Sequence, residues 1–239
     1  MISKNQIKLI TSLKQKKYRL EHKLFVVEGI KTIKELLKSD LILDALYTTE
    51  TFNIDAKDEV LIKETDLKRI SFLTTPNKAL AVFKIPNAKP IHNNELIVAL
   101  DDIRDPGNLG TIIRLCDWFG IKDLVCSKAT VDCFNPKVIQ ATMGSITRVN
   151  ISYVNLVDYL KTTSLPVFGA FMEGENVYTK QMPKKGILVM GNEANGVSKT
   201  VEGLVSNKIS IPRFGDLQET ESLNVATATA ILLSEFKRG

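Results

Sequence analysis

Apolar residues early in the chain recur at helical spacing, with Ile7, Ile10 and Leu13 on one side and lysines on the other. Ser3, with Gln6 three residues on, predicts a capping box where this helix begins. Leu24-Phe25-Val26-Val27 reads as a strand ending at Glu28-Gly29, and Ile30, Ile33, Leu36 and Leu37 form the inward stripe of the next helix. Residues 41–48 and 60–63 predict strands, 65–72 a short helix capped by Thr65, and 80–84 another strand. Such alternation makes a small α/β unit.

The periodicity stops at Ile85-Pro86-Asn87-Ala88-Lys89-Pro90-Ile91-His92-Asn93-Asn94, where two prolines and three asparagines mark a domain boundary. Beyond it the strands strengthen. Leu96–Leu100 is continuously apolar, as a strand buried on both faces should be. Helices are predicted over 109–119, 136–143 and 156–162, and strands over 124–126, 148–154, 167–171, 187–190 and 208–211. A last helix over 222–236, capped by Ser222, carries dense alanines and leucines. The expected layout is a small α/β domain over 1–88 and a parallel-sheet α/β domain over 95–239.

Composition removes several function classes. No apolar run approaches the ~18 residues that span a bilayer. Met1-Ile2-Ser3-Lys4-Asn5-Gln6 has no apolar leader, so secretion is not expected and a cytoplasmic protein is. Cys116, Cys126 and Cys133 form no C-x-x-C motif and read as reduced, buried thiols. His22 and His92 stand in no metal-ligand spacing, which leaves a zinc site or a Ser-His-Asp triad without support, and no metal is expected. The net charge of +5 is unevenly spread: residues 1–23 hold Lys4, Lys8, Lys14, Lys16, Lys17, Arg19 and Lys23 against Glu21 alone. A basic end suits phosphate binding through counterion release, although a solvated helix face looks the same.

The candidate chemistry lies in three turns of the second domain, each following a strand, where open α/β sheets bind ligands. The first is Asp105-Pro106-Gly107-Asn108-Leu109-Gly110-Thr111-Ile112-Ile113-Arg114. Its glycines admit close backbone approach, Asn108 offers donor and acceptor, and Arg114 either reaches solvent or is kept for a phosphate or carboxylate. The second, Gly191-Asn192-Glu193-Ala194-Asn195-Gly196, has P-loop-like glycine spacing but is followed by Val197-Ser198 in place of Lys-Ser/Thr, and it is no dinucleotide fingerprint either. The third runs from Ile211-Pro212 to Ser222-Leu223-Asn224-Val225, at a helix entrance where N-capping alone explains one polar residue.

Taken together and in this order, the turns resemble the SpoU (TrmH) family of RNA ribose 2′-O-methyltransferases. The likeness covers residue 95 onward: N-x-G-x-x-x-R as Asn108, Gly110 and Arg114; G-N-E-x-x-G as Gly191, Asn192, Glu193 and Gly196; and I-P…S-L-N-V as Ile211, Pro212, Ser222, Leu223, Asn224 and Val225. Asn135-Pro136-Lys137 and Met143-Gly144-Ser145 look like the family's middle segment. Tyr18-Arg19 and Phe25-Val26-Val27-Glu28-Gly29 resemble the substrate-binding domain often fused ahead of it, which strengthens RNA contact through Lys14, Lys16, Lys17 and Arg19.

The resemblance implies a SPOUT-class parallel sheet with a C-terminal trefoil knot, a homodimer, and S-adenosylmethionine held around Ala170, Gly191, Gly196, Ile211 and Leu223. Methyl transfer to a ribose O2′ needs positioning and an assisted loss of the hydroxyl proton. Arg114 would clamp an RNA phosphate and orient O2′, a free guanidinium being an awkward base. Asn108 would fix the arginine or substrate, Glu193 brace the site, and Ser222 and Asn224 shape it. Structured RNA is the implied partner, with ribosomal RNA ahead of transfer RNA. A non-catalytic RNA binder on the same scaffold is the alternative. Two departures stand out: residues 213–221 form a longer loop than the family's pattern, and Gln140 stands where an arginine is common.

Overall fold

The computed structural model describes residues 2–52, 59–215 and 222–238. Ser3 and Gln6 close the expected capping box at α1 (Lys4–Ser12): the Ser3 hydroxyl accepts from Gln6 N–H at 3.2 Å and Gln6 Oε1 from Ser3 N–H at 2.8 Å. After a turn comes a second basic helix, α2 (Lys16–His22). There follow β1 (Leu24–Glu28), α3 (Ile30–Leu37), β2 (Leu43–Thr48), β3 (Glu59–Leu61), α4 (Glu64–Ile70) and β4 (Ala79–Lys84). Thr65 does not cap α4, which starts a residue earlier after Lys63. Glu64 and Asp66 instead put favourable negative charge into its first turn.

These strands pair in the order β1-β4-β2-β3, with β4 antiparallel to both neighbours. The apolar run of β1 is explained by cover on both faces. Leu24 and Val26 pack with Ile10, Leu13, Leu67 and Ile70, while Phe25 and Val27 face Ile33, Leu36 and Phe83 on the other side.

The second run of elements begins with β5 (Leu96–Leu100), α5 (Pro106–Trp118) and β6 (Asp123–Ser127). Next come α6 (Pro136–Thr142) and a 3-10 turn at Ser145–Thr147. The chain goes on through β7 (Asn150–Val154), α7 (Leu156–Thr162), β8 (Val167–Asn176), β9 (Gly186–Met190), α8 (Lys199–Glu202), β10 (Asn207–Ser210) and α9 (Val225–Lys237). Among the described residues the sheet order is β10-β8-β9-β5-β6-β7, with every neighbouring pair parallel. The three cysteines are buried thiols that form no disulfide, and burial pushes the pKa of the Cys116 thiol up.

Two compact units result. One comprises the residues through Asn87 together with Asp132–Thr147; the other comprises Ala88–Val131 and Arg148 onward. The segment between β6 and β7 thus belongs to the first unit, where Phe134, Ile139 and Ile146 pack with Phe25 and Val27. In the second unit, the linker is pinned to the foot of the sheet. Buried Asp123 accepts from His92 N–H at 3.2 Å and from Asn150 Nδ2 at 2.6 Å, and Asn150 Nδ2 also donates to the Pro90 carbonyl.

Arg19, expected at an RNA surface, is instead only 2% exposed. Its guanidinium donates to the Leu13 and Lys14 carbonyls at 2.8 and 2.9 Å and to Asp132 Oδ2 at 2.6 and 2.9 Å. It locks the α1–α2 turn onto Asp132 and has no face left for a phosphate. Truncating it strands a buried carboxylate and two carbonyls, so Arg19→Met should destabilise the first unit by about 3 kcal/mol or more. Hydrogen exchange at β1 and β4 amides would register that loss; unchanged protection there would refute it.

Candidate active site

Each of the three turns is built by a local rule and then tied to the others. At the first, Asp105 is the N-cap of α5 and Pro106 occupies its first position; Asp105 Oδ1 accepts from Asn108 N–H at 2.8 Å. The helix therefore starts three residues before the expected 109. Asn108 stands in its first turn, not in a loop. Arg114 lies one turn beyond Gly110 on the same side of the helix.

At the second, the chain doubles back tightly after β9. Asn192 and Gly196 exchange backbone hydrogen bonds, each 2.9 Å, and the Asn192 side chain accepts from the N–H groups of Ala194 and Asn195. A Cβ on Gly191 would lie 2.2 Å from the Gly196 carbonyl carbon and the Val197 nitrogen, so only glycine fits there. At the third, Asn224 and not Ser222 caps α9, accepting from Ala226 and Thr227 N–H. Ser222 lies outside the helix, exposed, because Asn224 Oδ1 already takes the free N–H groups of the first turn.

The turns then join side chain to side chain. Glu193 Oε1 accepts from Asn108 Nδ2 at 3.0 Å and from Asp105 N–H at 3.2 Å, and Glu193 Oε2 from Arg104 N–H at 3.3 Å. Asn108 Oδ1 in turn accepts from Asn224 Nδ2 at 2.9 Å. Glu193, Asn108 and Asn224 are thus one hydrogen-bonded chain with Asn108 at its centre, although 116 positions separate Asn108 from Asn224 in sequence. Asn192 Nδ2 donates to the Asp102 carbonyl at 2.6 Å and Asp101 Oδ2 accepts from Ser198 N–H at 2.8 Å, clasping the second turn to the end of β5.

Arg114 takes no part in this chain. It is exposed, and among the described residues it makes no hydrogen bond or ion pair. The β8–β9 register pairs Gly169 with Val189, so Ala170 and Gly191 lie at the same carboxyl edge of the sheet. Beyond that point β8 bulges: Gly169 pairs with Lys208, but the next contact of β10 is with Glu175. Ala170 and Ile211 are half-buried and Leu223 is exposed. Lys14, Lys16 and Lys17 are exposed in the first unit. Sequence reasoning missed Asp101, Asp102, Arg104 and Asn192 as supports of the site. Asp105-Pro106 did carry a readable helix-start signal, whereas Asp102 carried none.

Among the described residues, no three His, Cys, Asp or Glu side chains converge as a metal site, and no helix is long and apolar enough to cross a membrane. A parallel sheet with a polar, asparagine- and glutamate-braced cluster at its carboxyl edge defines a ligand-binding site of the open α/β class. The SpoU rRNA Methylase family profile matches residues 95–234, and the profile of the MRM3-like substrate binding domain matches 4–81. The chain belongs to the SpoU rRNA methylase family.

It is 30% identical to the 23S rRNA (guanosine(2553)-2′-O)-methyltransferase RlmP of Bacillus subtilis, over 98% of this chain and 97% of that protein. A TrmH-family protein from Porphyromonas gingivalis superposes with a TM-score of 0.90 at 39% identity, covering 100% of this chain and 99% of the other. An AdoMet-bound rRNA methyltransferase from Sinorhizobium meliloti superposes with a TM-score of 0.88 at 28% identity, covering 100% and 97%.

Proposed function

We propose that this protein moves a methyl group from S-adenosylmethionine to a ribose 2′-hydroxyl of ribosomal RNA. The observation that carries the reading is the hydrogen-bonded chain Glu193–Asn108–Asn224, which joins the three motifs of the family at one edge of the sheet.

The residues present fit the cofactor. Exposed Leu223 with half-buried Ile211 and Ala170 offers apolar surface for an adenine, and the turn from Gly191 to Gly196 lets a ligand approach its backbone closely, Gly191 carrying no side chain. When bound, S-adenosylmethionine supplies an electrophilic methyl group. The chain's own residues do the rest. The Glu193–Asn108–Asn224 chain fixes the start of α5 against the second and third turns, which holds Arg114 in a constant place. Arg114 clamps the RNA phosphate next to the target ribose and orients O2′, and Ser222 lines the approach. Positioning of this kind supplies much of the acceleration in a transfer that separates little charge.

Residues 1–88 gather RNA through exposed Lys14, Lys16 and Lys17, and 95–239 carry out the transfer. Three further features complete the reading. The C-terminal segment is threaded as a trefoil knot, supported by a strand order in which β9 lies between β8 and the earlier β5. The enzyme works as a homodimer, supported by Trp118, 84% exposed on α5. Its compartment is the cytoplasm, supported by its similarity to a 23S rRNA methyltransferase of a bacterium, B. subtilis.

Tritiated-methyl transfer to protein-free ribosomal RNA from a strain lacking the gene, followed by mapping of 2′-O-methyl positions, tests the proposal. One ribose position should become labelled. Absence of both AdoMet binding and transfer would sink it.

A further inference from the structure

Asp102 has a φ of +61°, in the left-handed region that few residues other than glycine, asparagine and aspartate occupy. Side chains from two other segments hold it there. Its N–H donates to Ser127 Oγ at 2.9 Å, and its carbonyl accepts from Asn192 Nδ2 at 2.6 Å. A sparsely populated conformation pinned on both sides of one residue, beside a functional turn, points to a role for its side chain. That carboxylate faces Arg104: Nε lies 3.0 and 3.1 Å from its two oxygens and Nη2 lies 2.9 Å from Oδ2.

Stability does not account for this pair. The Arg104 side chain is 71% exposed, and exposed ion pairs contribute little. Its location is more telling. The Arg104 backbone N–H donates to Glu193 Oε2, and Glu193 Oε1 accepts from Asn108, so the side chain springs from backbone bonded to the Glu193 end of the Glu193–Asn108–Asn224 chain. It is a permanently charged fork whose five donors suit a phosphate, kept oriented by a carboxylate that a phosphate can replace.

We propose that Arg104 is a second arginine of this site, handed from Asp102 to an RNA phosphate flanking the target ribose. The proposal rests on the methyltransferase reading. Asp102 is its positioning partner: it holds the fork in the free enzyme and competes with the phosphate for the same donors.

The two partners therefore have opposite expected effects on RNA binding. The test uses the full chain and protein-free ribosomal RNA, with affinity measured from about 50 to 200 mM salt. Arg104→Ala should weaken binding about tenfold and reduce the slope of log affinity against log salt by about one, with AdoMet affinity by calorimetry unchanged. Asp102→Asn keeps a residue suited to positive φ but removes the competing charge, so RNA affinity should rise at the low-salt end. Asp102→Gly repeats this arm should the asparagine variant fail to fold.

An unchanged salt slope in Arg104→Ala would overturn the proposal. So would lost AdoMet affinity in that variant, which would assign the fork to the cofactor's carboxylate. Weaker RNA binding by Asp102→Asn would do so too, by making the pair merely structural. A wild-type enzyme that neither binds AdoMet nor labels this RNA would overturn the methyltransferase reading and the proposal with it, an outcome separable from the other three.

Discussion

Arg114→Ala should lower single-turnover methyl transfer about 10³-fold, with AdoMet affinity and thermal stability unchanged. The physical grounds are its isolation. Arg114 is exposed on α5 and, among the described residues, bonds to nothing, so truncation strands no buried group and opens no cavity. On the proposed reading, what is lost is the phosphate-gripping fork carried by a helix that Asp105, Pro106 and the Asn108–Glu193 bond fix in place. Arg114→Lys should recover little, because an ammonium keeps the charge but not the two-pronged geometry that grips phosphate and aligns a hydroxyl. Measuring transfer and binding on the same preparations separates the cases. Full activity in Arg114→Ala would remove this residue from the reaction, whereas loss of both activity and AdoMet binding would make it a structural residue.

Gly191→Ala should be comparably severe by a different route. The added Cβ would come within 2.2 Å of backbone atoms of Gly196 and Val197, and backbone cannot swing aside as a side-chain tip can. The paired bonds between Asn192 and Gly196 must open, taking with them the Asn192–Asp102 clasp and the placement of Glu193. A cost of about 3 kcal/mol or more is expected, enough to weaken AdoMet binding about 100-fold where that turn forms the pocket. Gly196→Ala is the informative control. A Cβ there meets nothing within 4 Å, and the only penalty is the φ of +66°, about 1–2 kcal/mol. Calorimetry that found the two variants equally impaired would mean that the turn's close approach is not what shapes the pocket.

The sequence was most readable where a rule is local. The Ser3–Gln6 capping box and the apolar run of β5 depend on neighbours within a few positions, and the structure bears out both directly. Arg19 was misplaced because nothing nearby distinguishes it from the lysines around it; its partner Asp132 is 113 positions away. The α9 cap was assigned to Ser222 for a related reason. Ser222 and Asn224 are both good caps, and only the register of the helix against its neighbours chooses Asn224. The bond between Asn108 and Asn224 was invisible for the opposite reason, since either amide explains itself locally as a helix-start residue. Which asparagines meet is decided by how the sheet brings the ends of β5, β9 and β10 together.

The excursion of residues 132–147 bears on how this chain can be divided. A cut at the proline-rich break near residue 88 looks natural, but it would leave Phe134, Ile139 and Ile146 without the β1 side chains that cover them. The remaining piece would carry an apolar flap between β6 and β7 and an Asp132 deprived of its arginine. The two units therefore cannot be cut apart at residue 88 or exchanged like beads on a string. A chimera that grafts another substrate domain onto this catalytic half must also bring that domain's own version of the 132–147 segment.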